Sequence, residues 1–353
     1  MSTEQILQFL YPDAKEWEYL SFGLLGGLDI GQQSHLLRKH PLKLQIHTFR
    51  HNFQDLCHLL NIPYQELPIA ADWKSEDIQN ILKKVQNVFW VQGNQVWRLQ
   101  GHFTGWCGQA LDGRIQNSSQ FHFDDSQRLI LLGDFHQMPM KSVLKLVLAE
   151  QCAYYSNSTG VEMAVNNWLN LIRRPSLRKS WPSLLSVPRH YFWMAVHLYS
   201  QIHLENDVAY RERYVQFLRV ASEYLEVPKL QEIALLFRKS ISIWQVLGSV
   251  LLDSSSKALS QISKPHPKAL DSKKTTNTDH TETIMEMESI YELWVHDQLA
   301  LFLTESIDLD IESRLFVIED CLKKILQAEQ EAFQQIAIVL QHQIKDRKKF
   351  VTA

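Results

Sequence analysis

The stretch Arg128-Leu129-Ile130-Leu131-Leu132-Gly133-Asp134-Phe135-His136-Gln137-Met138-Pro139-Met140-Lys141 marks the point where the chain changes character. Leu129–Leu132 form a short apolar run closed by glycine, which reads as a buried strand. The last four residues of the stretch place a proline where a helix opens. Upstream lie further runs of the first kind, at Val88–Val91, Val96–Leu99 and Gln120–Phe123. Downstream, apolar residues recur at helical spacing almost without a break. A small sheet interleaved with helices before this seam and helix after helix beyond it predict an α+β chain, a small α/β N-terminal domain followed by a mainly helical C-terminal region.

Working outward, a helix is predicted over Glu4–Leu10 and a glycine-bearing turn over Phe22–Leu28. Leu42–Ile46 reads as a strand. Thr48 is placed to cap a helix whose stripe is Phe49, Phe53, Leu56 and Leu60. Ser75 is placed to cap the next, with Glu76 and Asp77 at its positive end. Beyond the seam, helices are expected over Lys141–Tyr155, Gly160–Ile172, Tyr191–Glu205, Ala209–Leu225 and Leu230–Leu252, punctuated by Pro182, Pro188 and Pro228. Ser254–His280, rich in Lys, Ser and Thr and without an aromatic residue, reads as a disordered linker. Long helices over Glu282–Thr304 and Ile311–Lys349 close the chain. The last carries Ile311, Leu315, Ile318, Leu322 and Ile325, a break at Glu329, then Phe333, Ile336, Leu340 and Ile344. The expected divisions are 1–150, a small sheet-bearing domain; 151–253, a helical domain; 254–281, the linker; and 282–353, a long helical hairpin. That hairpin pairs within the chain or, alternatively, forms a homodimer.

Composition narrows the chemistry. Lys and Arg total 36 against 39 Asp and Glu, for a net charge of −3, which argues against a dedicated nucleic-acid binder. With 12 glycines and 11 prolines the chain favours helices over Gly-rich phosphate loops. Cys57, Cys107, Cys152 and Cys321 stand far apart, so neither a disulfide framework nor a structural zinc site is expected of them. No basic n-region opens the chain and no 18-residue apolar run occurs, so a cytoplasmic protein without membrane contact is expected. Walker, His-Glu-x-x-His and Gly-x-Ser-x-Gly motifs are missing. No cofactor or metal is expected. His47, His51 and His58 beside Cys57 read as a polar helix face, with a zinc site as the weaker reading. A second set comprises His102, Cys107, His122, Asp124, Asp125 and Asp134. Here Cys107 reads as a packed thiol before a nucleophile, and His102 or His122 with Asp134 as a base and its orienting carboxylate.

Several of these stretches occur in an order that resembles a known family. They are the glycine turn at Phe22–Leu28, Leu129–Asp134 and Met138-Pro139-Met140. Then come Tyr210-Arg211, Arg213-Tyr214, Phe217-Leu218, Phe237-Arg238, Ser240, Trp244 and Glu329–Phe333. Together they resemble the butirosin biosynthesis protein H family, followed by that family's helical C-terminal domain. The resemblance implies a papain-like fold for the sheet-bearing domain. It implies an acyltransferase in which a cysteine takes an acyl group from a carrier-protein thioester, a histidine serves as base, and an aspartate orients it. An amine then receives the group. Carried over, the histidine is His102 or His122 and the aspartate is Asp134. The family cysteine would fall at Met1–Thr3, where Ser2 and Thr3 stand instead. A serine needs far stronger base assistance than a thiol, so the thiol chemistry is expected to be impaired or altered.

Two functional classes follow. One is an acyl or aminoacyl transferase of peptide or secondary-metabolite biosynthesis, using Ser2, His102 or His122, and Asp134. The other is a non-catalytic relative, a pseudoenzyme, whose helices bind an acyl carrier protein, a peptide or a partner subunit.

Overall fold

The computed structural model describes residues 2–25, 53–69, 73–92, 95–102, 105–121, 127–156, 161–173, 180–204, 207–252, 255–264 and 293–351. Strand Leu42–Ile46, the Thr48 cap, His47 and His51 lie outside them.

Six strands build one sheet: β1 (Tyr64–Pro68), β2 (Asn87–Gln92), β3 (Gln95–His102), β4 (Gly105–Gln109), β5 (Ile115–Asn117) and β6 (Gln127–Leu132). All neighbours are antiparallel, in the order β1-β6-β2-β3-β4-β5. The β-type runs predicted at Val88, Val96 and Arg128 are β2, β3 and β6. Gln120–Phe123 was expected as a strand, but Ser118–Gln120 is a 3₁₀ turn and Phe121 folds in as a plug. Phe121 packs 4.9 Å from both Trp90 and Trp106.

The sheet is covered on both faces because its strands alternate. Phe89, Val91, Val96, Ile130 and Leu132 point to one core. Val88, Trp90, Trp97, Leu99, Leu129 and Leu131 point to the other, a small one closed by Ile78. Ile78 belongs to α4 (Ser75–Leu82). The cap of α4 is not the one expected. Its N-cap is Lys74, whose N–H donates to the Asp77 carboxylate at 2.8 Å, and Ser75 Oγ accepts from the Trp106 indole at 2.8 Å.

On the larger face lie α1 (Ser2–Leu10), α2 (Trp17–Leu25), α3 (Phe53–Leu59) and α5 (Met140–Ser156). Phe53, Leu56 and Leu60 are buried as the stripe predicted, and His58 is exposed. The turn expected at Phe22 is instead the last part of α2. Gly23 stands within that helix, and glycine is needed because a side chain would strike Phe217, whose ring is 2.1 Å from where a Cβ would stand. That contact comes from α9 (Asp207–Leu225), so the main core crosses the boundary expected at 150, which falls inside α5.

The second half is helical: α6 (Val161–Arg173), α7 (Trp181–Leu185), α8 (Pro188–Tyr199), a π-helical turn at Ser200–Leu204, α9, α10 (Lys229–Ser249), α11 (Lys257–Ile262), α12 (293–302) and α13 (Ile311–Val351). The fold is therefore α+β with a helical C-terminal region. α11 corrects the linker reading: Ala258, Leu259 and Ile262 are buried, and Ser256 caps the helix. The remainder of that stretch, 265–280, lies outside the described residues. Within the chain, α13 runs antiparallel to α10. Arg314 donates to the Val250 carbonyl at one end, and Phe237 meets Phe333 edge-on at 5.4 Å toward the other. Val295, Leu299 and Phe302 of α12 join Leu315–Ile325 of α13 in a separate helical core. Among the elements from α5 to α10, α10 meets α13 most extensively, followed by α5.

Candidate functional site

The residues expected to carry chemistry are spread over the sheet half. His102 ends β3, paired with Gly105 of β4. Asp134 is exposed in the bend after β6. Gly133 donates to the Pro63 carbonyl at 2.9 Å, drawing this bend toward β1, the edge of the sheet away from β3. Ser2 opens α1. The Asp134 loop meets α1 at its opposite end, where Gln137 donates to the Leu10 carbonyl. Eight residues of helix, about 12 Å, separate that contact from Ser2. His122, Asp124 and Asp125 lie outside the described residues. Asp134 thus sits in solvent at the end of β6.

The thiols are held in the opposite condition. All four cysteines are free and buried. Burial pushes Cys57 and Cys152 up to about 12, and raises Cys321 as well. Cys152 on α5 lies 3.5 Å from the Phe333 carbonyl as a weak donor. Thiols so placed stay protonated at neutral pH. Cys107 lies on β4 opposite Gln100, 8% exposed.

Beside the Asp134 loop the structure forms a cleft of about 350 Å³. The α1–α2 connection supplies Tyr11, Pro12 and Asp13, the loop supplies Met138 and Pro139, and α9 supplies Tyr224. The Tyr224 hydroxyl accepts the Lys15 N–H at 2.6 Å, which leaves its own proton for a ligand. Burial pushes the Tyr11 phenol up to about 12. The cleft therefore has aromatic and thioether walls and two outer polar groups, Asp13 and Tyr224. It lies at the seam between the sheet half and the helices, a common place for ligand sites. Sequence reading missed it because its walls come from three distant segments. The only local signal was Met138-Pro139-Met140, read as a helix start.

Four helical residues, Arg211, Ser240, Trp244 and Glu329, meet in the core between α9, α10 and α13. Arg211 Nε donates to Glu329 Oε1 at 2.8 Å, with both side chains fully buried. Ser240 Oγ and Trp244 Nε1 donate to the same oxygen at 2.6 and 3.2 Å. The Arg211 guanidinium lies 4.4 Å from the Trp244 ring centre. Next to this cluster, Tyr214 donates to Gln151 at 2.7 Å, and Gln151 donates to the Gly23 carbonyl at 2.9 Å. These residues tie helices together; none is open to a ligand.

No protein-family model matches the chain, and neither do any curated protein or solved structure. No helix among the described residues is long and apolar enough to cross a membrane.

Proposed function

We propose that this chain is a divergent relative of carrier-protein-dependent acyl and aminoacyl transferases that has given up thiol catalysis and acts by binding. The observation that carries this reading is the state of the cysteines: every one is buried, and two are pushed up to about 12. The exposed Asp134 supports it, because a carboxylate in water does little to orient or charge a histidine. The sheet half is then a papain-like scaffold without its nucleophile, working in the cytoplasm. The cleft at Tyr11, Met138 and Tyr224 is the contact assigned to the partner. Its apolar walls and terminal hydrogen-bonding groups suit the flexible arm of an acyl carrier protein or an extended peptide.

The test is to mix the protein with an acyl carrier protein bearing an acyl thioester, and to follow binding by calorimetry and free thiol by a chromogenic assay. Binding without thiol release, weakened at least tenfold by Tyr224→Ala and unaffected by Ser2→Ala, is the expected result. Thiol release that Ser2→Ala abolishes would restore the enzyme reading, with His102 or His122 and Asp134 in its service.

A further inference from the structure

The cleft between α1, α5 and α9 carries hydrogen-bonding groups of a particular sense. The Gln137 amide is oriented, because its Nε2 donates to the Leu10 carbonyl. Its Oε1 is the end left over, and no described residue donates to it. The Tyr224 hydroxyl accepts from the Lys15 N–H at 2.6 Å and keeps a proton to give. Asp13 is exposed and makes no hydrogen bond or ion pair to any described residue. Two acceptors, Asp13 and Gln137, therefore share the cleft with one outward donor, Tyr224.

The charge there is negative. Among the described residues no Lys, Arg or His lines the cleft, and Asp13 is its one ionised group. The flanking cations on α5 and α9, Lys141 and Arg219, are held by Glu226 and Glu16. Lys15 contributes its backbone N–H without lining the cleft. Helices α1 and α9 end at the cleft while α5 begins there, so carbonyl ends outnumber amide ends. The rings of Tyr11 and Tyr224 in its wall favour a cation further.

We infer that the cleft captures the free N-terminus of a peptide that begins with an apolar residue. The α-ammonium goes to Asp13 and Gln137 Oε1, the first carbonyl accepts from Tyr224, and the first side chain rests on Met138 and Pro139. This rests on the reading of the cleft as the partner contact and chooses among its ligands. An N-acylated chain lacks the charge. A free amino acid adds a carboxylate that Asp13 repels. A simple alkylamine has no carbonyl for Tyr224. The cleft is also preformed: the Ala14 N–H donates to the Tyr11 carbonyl, and the Gln137 and Tyr224 bonds fasten the α1–α2 connection to both neighbours. Little ordering is then needed on binding.

The test is calorimetry on the full chain with leucyl-alanyl-glycine amide, its N-acetyl form, leucine and butylamine. The free-amine peptide should bind roughly tenfold tighter than the other three, as a charge-assisted contact allows. Asp13→Asn should abolish that preference and leave thermal unfolding unchanged. Tyr224→Phe should weaken the peptide about fivefold, the worth of one hydrogen bond. Affinity should fall as pH rises through about 8, where an α-amine gives up its proton. Equal affinity for the free and acetylated peptides, a preference that survives Asp13→Asn, or no binding of the free peptide overturns the inference. If an acyl carrier protein then still binds through Tyr224, the cleft keeps its role as partner contact and only the amine specificity falls. If neither binds, both readings fall.

Discussion

Strand β2 divides its side chains between two cores residue by residue, while α13 divides its own end to end. In β2, Phe89 and Val91 serve the core under the helices, and Val88 and Trp90 serve the small outer core. In α13, Leu315 to Ile325 serve one core and Ala332 to Leu340 another. A strand has a period of two, so it separates layers; a long helix has one buried stripe, so it joins regions along its length. Damage to β2 should therefore stay in a layer, and damage to α13 should travel.

The largest expected effect tests the travelling half of that contrast. Glu329→Leu removes the carboxylate that the buried Arg211 bonds, and should cost about 3–5 kcal/mol. Urea unfolding followed separately by near-ultraviolet dichroism and by hydrogen exchange should show both cores loosening. Exchange confined to α6–α8 would break the comparison. Leu322→Asp, which buries a charge in the helical core, should leave that region unfolded, with Leu340→Asp milder at the distal edge.

Next in size is Trp90→Ala, at about 3–5 kcal/mol for a buried aromatic. Its ring stacks 5.9 Å from Trp106 and 4.9 Å from Phe121. Faster exchange should appear in β3, β4 and α4 and spare α9 and α10. Spread into the helices would mean that the sheet does not insulate its two faces.

Gly23→Ala sharpens the contact between the halves. The added methyl meets the Phe217 ring, and overpacking of this kind costs about 1–3 kcal/mol. Phe217→Leu should recover part of the loss in a double-mutant cycle; additive losses would remove the contact from the account.

Last comes a slope with pH, which vanishes near neutrality. Cys57 and Cys152 are pushed up to about 12 in the folded protein, while an unfolded thiol ionises near ~8.5. Between those values the folded state holds more protons, so stability is complete below the lower value and declines as pH rises through it toward 12. Cys57→Ala/Cys152→Ala should flatten that decline. Native protein should also resist alkylation at both positions until it unfolds.

How much was legible beforehand follows from which signals are local. Strands β2, β3 and β6 and helices α5, α9 and α10 announce themselves by apolar runs or spacing. Strand β4 did not, because Gly105-Trp106-Cys107-Gly108-Gln109 alternates weakly and becomes a strand only by pairing with β3. Phe22-Gly23-Leu24 looked like a turn because a glycine packed against a distant ring cannot be told locally from one at a bend. Ser75 has the sequence of a cap, yet its hydroxyl is claimed by Trp106 from another strand. The break at Glu329 was visible, and its cause was not: Arg211 lies 118 residues away. Cys57, Cys152 and Cys321 gave no sign of their burial, and Asp134 gave none of its exposure, since both depend on what the rest of the chain lays over them.

Glu305 has one more consequence. Its carboxylate accepts from Ser256 Oγ at 2.6 Å and from the Ala258 N–H at 3.2 Å, so the residue after α12 grips the start of α11. The two ends of the 265–292 stretch are thereby fastened to each other by side chains and by the shared core, independently of the peptide that joins them. A protease cut anywhere in that stretch should yield two fragments that elute together and separate only in denaturant. The same site is where new termini would be opened in a circularly permuted version of the protein.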